Sequence, residues 1–122
     1  MKKPVPPSGL GHLRITLDAE AYIGPGRADL LEGIERSGSI GAAGKAMGMS
    51  YKRAWSLVQA LNAGFGAPLV VTSRGGSGQG GAQLTDLGRE VLSRYRAMQA
   101  ATEAAIEDDV AALRRLKSDL SN

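Results

Sequence analysis

Between Ser39 and Gly64 the chain reads SIGAAGKAMGMSYKRAWSLVQALNAG, and few folds accommodate that stretch. Ser50 follows Gly48-Met49 and is placed to cap a helix, because its hydroxyl can accept a hydrogen bond from an otherwise unpaired amide of the first turn. At about 100° per residue, Tyr51, Ala54, Trp55, Val58, Leu61, Asn62 and Phe65 gather on one side, while Lys52, Arg53, Ser56, Gln59, Ala60 and Ala63 gather on the other. One side is core and the other is cationic, polar and small. Ahead of this helix Ser39 can cap a shorter one, whose Ile40, Ala43 and Met47 share a face, and Gly48 falls where a left-handed C-cap is wanted. The small Ala43 and Gly44 let the two helices approach closely. This is the spacing of a helix-turn-helix, whose second helix enters the major groove N-terminus first.

Charge supports a polyanionic partner through its distribution. The net charge is only +3, but no Asp or Glu occurs from Ser37 to Thr85, a segment that holds Lys45, Lys52, Arg53 and Arg74. The acids gather elsewhere, between Asp18 and Glu35 and at Glu103, Glu107, Asp108 and Asp109. At 122 residues the chain makes one domain with at most a tail. Zero Cys excludes disulfides, thiolate metal sites and Cys nucleophiles, and a reducing cytoplasm is the compartment expected. The start, MKKPVPPSG, has Pro where a signal peptide needs an apolar run, and no apolar run reaches membrane-spanning length.

The remaining elements follow from periodicity and breakers. Residues 1–11 are rich in Pro and Gly and read as a flexible arm. Leu13 to Leu17 alternates like a strand, Ala21-Tyr22-Ile23 extends or answers it, and Gly24-Pro25-Gly26 breaks the chain. Ala28 to Arg36 is a helix with Leu30, Leu31 and Ile34 inward and Gly38 at its end. After the two central helices a break is expected over Gly64 to Pro68. Leu69 to Thr72 and Ala82 to Leu84 then form strands around a Gly-rich tip, which behind a helix-turn-helix makes a wing. Thr85 caps a long helix, whose Val91, Tyr95, Met98, Ala105, Ile106, Val110, Leu113 and Leu120 step by threes and fours. One small domain cannot cover so long a stripe, so pairing with the same helix of a second subunit is expected, through Val91, Tyr95, Met98, Ile106, Val110 and Leu113. A tail that folds back or frays after about Thr102 is the other reading. The expected architecture is mainly α with a small β-hairpin: a winged helix-turn-helix over residues 12–86 and a dimerisation helix over 87–122.

The run GPGRADLLEGIERSGSIGAAGKAMGMSYKRAW, followed by LN, a Gly-rich tip and GGAQLTDLG, resembles the N-terminal DNA-binding domain of the ModE family of molybdate-responsive bacterial regulators, from about Leu13 to Met98. A looser similarity extends to the winged domains of LysR-type regulators. The resemblance implies a dimer that binds double-stranded DNA and controls molybdenum-related genes; pairing two recognition helices on one face makes an inverted-repeat operator the expectation, with the protein in the cytoplasm and on the nucleoid when bound. Full-length members of the ModE family carry oxyanion-binding domains after the DNA-binding part, and this sequence stops at Asn122. Molybdate sensing is therefore not carried over; the expectation is a stand-alone regulator, or one that takes its signal from a separate effector-sensing partner or another ligand.

Position by position, the resemblance places Ser50, Tyr51, Lys52, Arg53 and Ser56 at the DNA, and Ser39, Lys45 and Gln59 stand beside them. Arg53 is the expected base reader, since a planar guanidinium can bond both guanine acceptors, and Lys52 is expected to neutralise phosphate. Trp55 lies on the core side, which favours packing over stacking on bases. From the wing, Arg74, Ser77 and Gln79 are expected to follow the backbone or enter the minor groove. The formal GxGxxG of Gly76, Gly78 and Gly81 lacks the helix that a dinucleotide site needs directly after it. His12 is the one histidine and has no neighbouring acid or Cys, so no metal, cofactor or catalytic constellation is expected. The alternative from another class is a winged-helix protein-interaction module that docks a partner through the long helix; an acid-free segment favours DNA.

Overall fold

In this computed structural model, which describes residues 9–74 and 80–121, a two-residue antiparallel pair comes first, β1 (Ile15–Thr16) against β2 (Tyr22–Ile23). The Asp18 carboxylate accepts the amides of Glu20 and Ala21 at 2.8 and 2.9 Å and so forms the turn between them. The strand expected over Leu13 to Leu17 is this short because its partner offers only Tyr22 and Ile23 before a helix begins. That helix, α1 (Pro25–Ser37), starts three residues earlier than expected. Gly24-Pro25-Gly26 is its N-terminus and not a break: proline at the first helical position has no amide to leave unpaired and a φ already suited to the helix. Ala28, Leu30, Leu31 and Ile34 are buried, and Gly38 ends the helix in a left-handed conformation with its amide on the Ile34 carbonyl.

The central helices form as the sequence indicates. In α2 (Ile40–Ala46) the Ser39 hydroxyl accepts from the Ala42 amide at 3.0 Å, and in α3 (Tyr51–Phe65) the Ser50 hydroxyl accepts from the Arg53 amide at 3.1 Å. Gly48 turns the chain between them at φ +75°. Gly44 is where the helices meet: a Cβ there would stand 2.8 Å from the Cβ of Ala54. Expected as part of a break, Gly64 and Phe65 instead continue α3, and Gly66 ends it.

The wing is the antiparallel pair β3 (Val70–Arg74) and β4 (Gly80–Leu84), in register from Val70 opposite Leu84 to Arg74 opposite Gly80. Leu69 lies just before the strand, buried, where Asn62 anchors the chain: its side-chain carbonyl accepts from the Leu69 and Val70 amides at 2.8 and 3.2 Å, and its amide donates to the Val70 carbonyl at 3.1 Å. The Ala82 amide donates to the Gly38 carbonyl at 2.8 Å, which seats the wing on the turn between α1 and α2. Thr85 caps α4 (Asp86–Ser121) through the Gly88 amide at 3.0 Å. At 36 residues this helix is about 54 Å long.

Tyr95 corrects one expectation. Its place on the long apolar stripe suggested an interface between subunits, yet its side chain is wholly buried in the core and its hydroxyl donates to the Leu13 carbonyl at 2.7 Å. Val91 and Leu92 pack against the same core. Farther along, Met98 and Leu113 are exposed, Ile106 and Val110 are half-buried, and the Leu120 side chain lies outside the described residues. Ion pairs fasten the start of α4 to α1: Arg96 meets Asp29 at 2.8 Å and Glu32 at 3.2 Å, and Arg89 meets Glu35 at 3.9 Å.

Candidate nucleic-acid interface

Ala54, Val58 and Leu61 are buried and define the inward direction of α3. Opposite them the helix presents Ser56 at the centre, Lys52, Gln59 and Ala63 toward one flank, and Ala60 and Arg53 toward the other. Lys52, Arg53, Ser56, Gln59 and Ala63 are exposed, so the cationic and polar side legible in the sequence is the outer face. The Ser56 hydroxyl donates to the Lys52 carbonyl at 3.1 Å within the helix. Ser50 is exposed and Lys45 is exposed in the last turn of α2. Both motif-capping hydroxyls, Ser39 and Ser50, are already engaged with amides and therefore set the helix starts as well as lining the surface.

On the flank toward the wing lies a cleft of about 560 Å³, lined by Ser39, Ile40, Gly41, Tyr51, Trp55, Thr72, Ser73, Gly81 and Ala82. Tyr51 is 61% exposed there, although the helical wheel put it on the core side; at the first turn of α3 the core no longer reaches it. Its ring stands edge-on to Trp55, with centroids 6.2 Å apart at 74°. Trp55 is half-buried and packs against the core, as its position suggested, while one part of it walls the cleft. Thr72 and Ser73 were not singled out in the sequence; they reach the cleft because β3 folds back beside α2. Arg74 closes the strand ladder through its backbone, but its side chain, like Ser77, Gln79, Gly76 and Gly78, lies outside the described residues.

The opposite flank holds a second hollow of about 230 Å³, lined by His12, Arg14, Tyr22, Gly24, Pro25, Gly26, Arg27, Met49, Arg53 and Leu57. Arg14 and Arg27 each place a guanidinium carbon 3.7 Å from the centroid of the Tyr22 ring. Arg53, the expected base reader, borders this hollow. Sequence reasoning missed Arg14 and Arg27 because they lie outside the acid-free segment and near acids in the chain; the signal present was YIGPGR, a helix start without an acid in its first turn.

Folding segregates the charges. Asp29, Glu32 and Glu35 of α1 are taken up by Arg96, Arg36 and Arg89. Burial opposes the charged Arg96 guanidinium, yet its bonds and charge contacts with Asp29 and Glu32 outweigh that and hold its pKa above the ordinary value. Lys45, Lys52 and Arg53 make no ion pair with any described residue. The described residues contain no cluster of three or more His, Asp or Glu side chains suited to a metal and no helix long and apolar enough to cross a membrane.

Two capped helices about a glycine turn, an antiparallel wing and an outward cationic face on the second helix together define a winged helix-turn-helix DNA-binding protein. The family model of bacterial regulatory helix-turn-helix proteins of the lysR family matches residues 28–89, about half of the sequence. The chain belongs to this family of regulatory helix-turn-helix proteins. It is also similar to the molybdenum transport protein ModE of Azotobacter vinelandii, 39% identical over 80% of this chain and 36% of that protein. The molybdenum-pterin-binding protein MopB of Rhodobacter capsulatus is 45% identical over 66% of this chain and 30% of its own length. The DNA-binding transcriptional dual regulator ModE of Escherichia coli K12 is 34% identical over 89% of this chain and 43% of its own. The resemblance to ModE proteins is thus borne out, and the chain spans between 30% and 43% of the length of these relatives. Among solved structures, the CbnR_DBD-DNA complex superposes with a TM-score of 0.54 at 24% identity, over 70% of this chain and 94% of that one. That likeness bears on the fold.

Proposed function

We propose that this regulator binds duplex DNA as a two-fold dimer at an inverted-repeat operator, inserts α3 into the major groove, and acts on molybdenum-related genes in the bacterial cytoplasm. The observation that carries the reading is the outer face of α3, where Lys52, Arg53, Ser56 and Gln59 are exposed and the cations lack carboxylate partners among the described residues. Lys45, Ser39, Ser50 and Tyr51 extend that surface, and Arg74, Ser77 and Gln79 belong to the wing beside it. Dimerisation is assigned to the distal part of α4, through Met98, Ile106, Val110 and Leu113, with Val91 at the domain end. The molybdenum link rests on the named relatives. Fluorescence anisotropy against duplex DNA tests the reading: log affinity should fall linearly and steeply with log salt concentration. Affinity indifferent to ionic strength, or absent at low salt, would refute it.

A further inference from the structure

The hollow beside the start of α1 gathers more positive charge than any packing need explains. Arg14 from β1's approach, Arg27 from the first turn of α1 and Arg53 from the first turn of α3 are brought together from distant parts of the sequence, with His12 at the edge. No Asp or Glu lines it, and none of the three arginines has an ion-pair partner among the described residues. Guanidiniums confined together without an acid repel one another, a cost that an anion between them removes. Tyr22 orients two of them. At 3.7 Å from one ring centroid both cannot occupy the same face, so Arg14 and Arg27 sandwich the ring. Arg27 donates through one terminal nitrogen to the Tyr22 carbonyl at 3.3 Å, and its Nε is enclosed without an acceptor.

The helix start adds donors of its own. Gly24 provides no side-chain cap, Pro25 has no amide proton, and no acid stands in the first turn, so the Gly26 and Arg27 amides, on residues that line the hollow, have no side-chain cap. A Cβ at Gly26 would meet nothing within 4 Å, so the space beside its Cα is open. Several planar forks and free amides about a hollow of 230 Å³ are the donor set of a tetrahedral oxyanion.

We propose that this hollow is an oxyanion site that takes one phosphate group, and that Arg53 serves it together with Arg14 and Arg27 instead of reading a base. The hollow flanks the outer face of α3, which favours a phosphate of the DNA backbone as its source. In that form the proposal rests on the DNA-binding reading above. It would make Arg14 and Arg27 sequence-blind anchors that fix the register of α3 in the groove.

Two measurements separate the sources. In the first, Arg14→Gln, Arg27→Gln and Arg53→Gln are compared with the unaltered protein on a duplex selected by that protein from a random library and on a scrambled duplex. Each variant should lose about tenfold on both, with the salt slope smaller by about one and the ratio of the two affinities unchanged. In the second, inorganic phosphate is titrated into the unaltered protein while the amide resonances of Gly26 and Arg27 are followed, a readout that needs no variant to fold. Sequence-blind losses, with phosphate binding only weakly, identify the DNA backbone as the source. Saturable phosphate shifts with undiminished DNA affinity in the variants identify a free oxyanion. Losses confined to the selected duplex, or no loss and no phosphate shift, overturn the proposal. If the unaltered protein bound no duplex at all, the regulator reading would fail while the phosphate titration still decided the site.

Discussion

Tyr95 joins the first segment of the chain to the last helix through a single hydroxyl. Its phenol is pushed above the ordinary value of 10.0, first by burial, so the neutral form is the one that folding favours. The stabilisation tied to this group is complete below the ordinary phenol value and is lost as pH rises through the raised one. Tyr95→Phe should cost about 1 kcal/mol at neutral pH, because the Leu13 carbonyl loses its donor, and should flatten the alkaline decline. Urea unfolding of both proteins at pH 8 and pH 11 measures the difference; parallel declines would deny the phenol this role. On the outer face of α3 a different logic holds. Lys52 is exposed and has no ion-pair partner among the described residues, so Lys52→Ala should leave stability within about 0.5 kcal/mol while weakening all duplexes alike and lowering the salt slope by about one. A Lys52→Ala protein that changed which sequence it prefers would make this residue a base reader.

At the scale of elements, the helix-turn-helix depends on how closely α2 and α3 can lie. Gly44 and Ala54 are both buried at their crossing, and an added methyl at Gly44 would sit 2.8 Å from the Ala54 Cβ, too close for either helix to stay in place. Gly44→Ala should therefore destabilise by about 1 to 3 kcal/mol, in spite of the better helix propensity of alanine. Adding Ala54→Gly should restore part of that loss, a coupling that a double-mutant cycle by urea unfolding would read. Additive losses would mean that the crossing is not the point of contact. The wing is fastened differently, through Asn62 and the Ala82 amide, so its position follows α3 and the turn after α1.

For the whole molecule the open question is the outer length of α4. Only its first turns enter the core, and Leu113 and Leu116 remain 64% and 56% exposed beyond them. Covering such a stripe in a second subunit removes it from water at roughly 25 cal/mol for each Å² buried. Ile106→Glu with Leu113→Glu should give a monomer by sedimentation, one that retains the winged fold and weak, salt-sensitive DNA binding but loses specific affinity. An unaltered protein that sediments as a monomer at micromolar concentration and still binds its operator tightly would end the dimer proposal.

What the sequence determined by itself was local and periodic. Ser39 and Ser50 mark helix starts through their own hydroxyls, Gly48 turns the chain between the two motif helices, and the burial of Ala54, Val58 and Leu61 follows from the 3.6-residue repeat. The acid-free segment showed where a basic face would be. Tertiary structure decided whatever depends on residues far apart in the chain. It buried Tyr95, exposed Tyr51 where the core runs out, and carried Arg14 and Arg27 to the side of Arg53. A helical wheel gives the direction of a side chain from its own axis; only the packed neighbours say whether core, solvent or another charge lies in that direction.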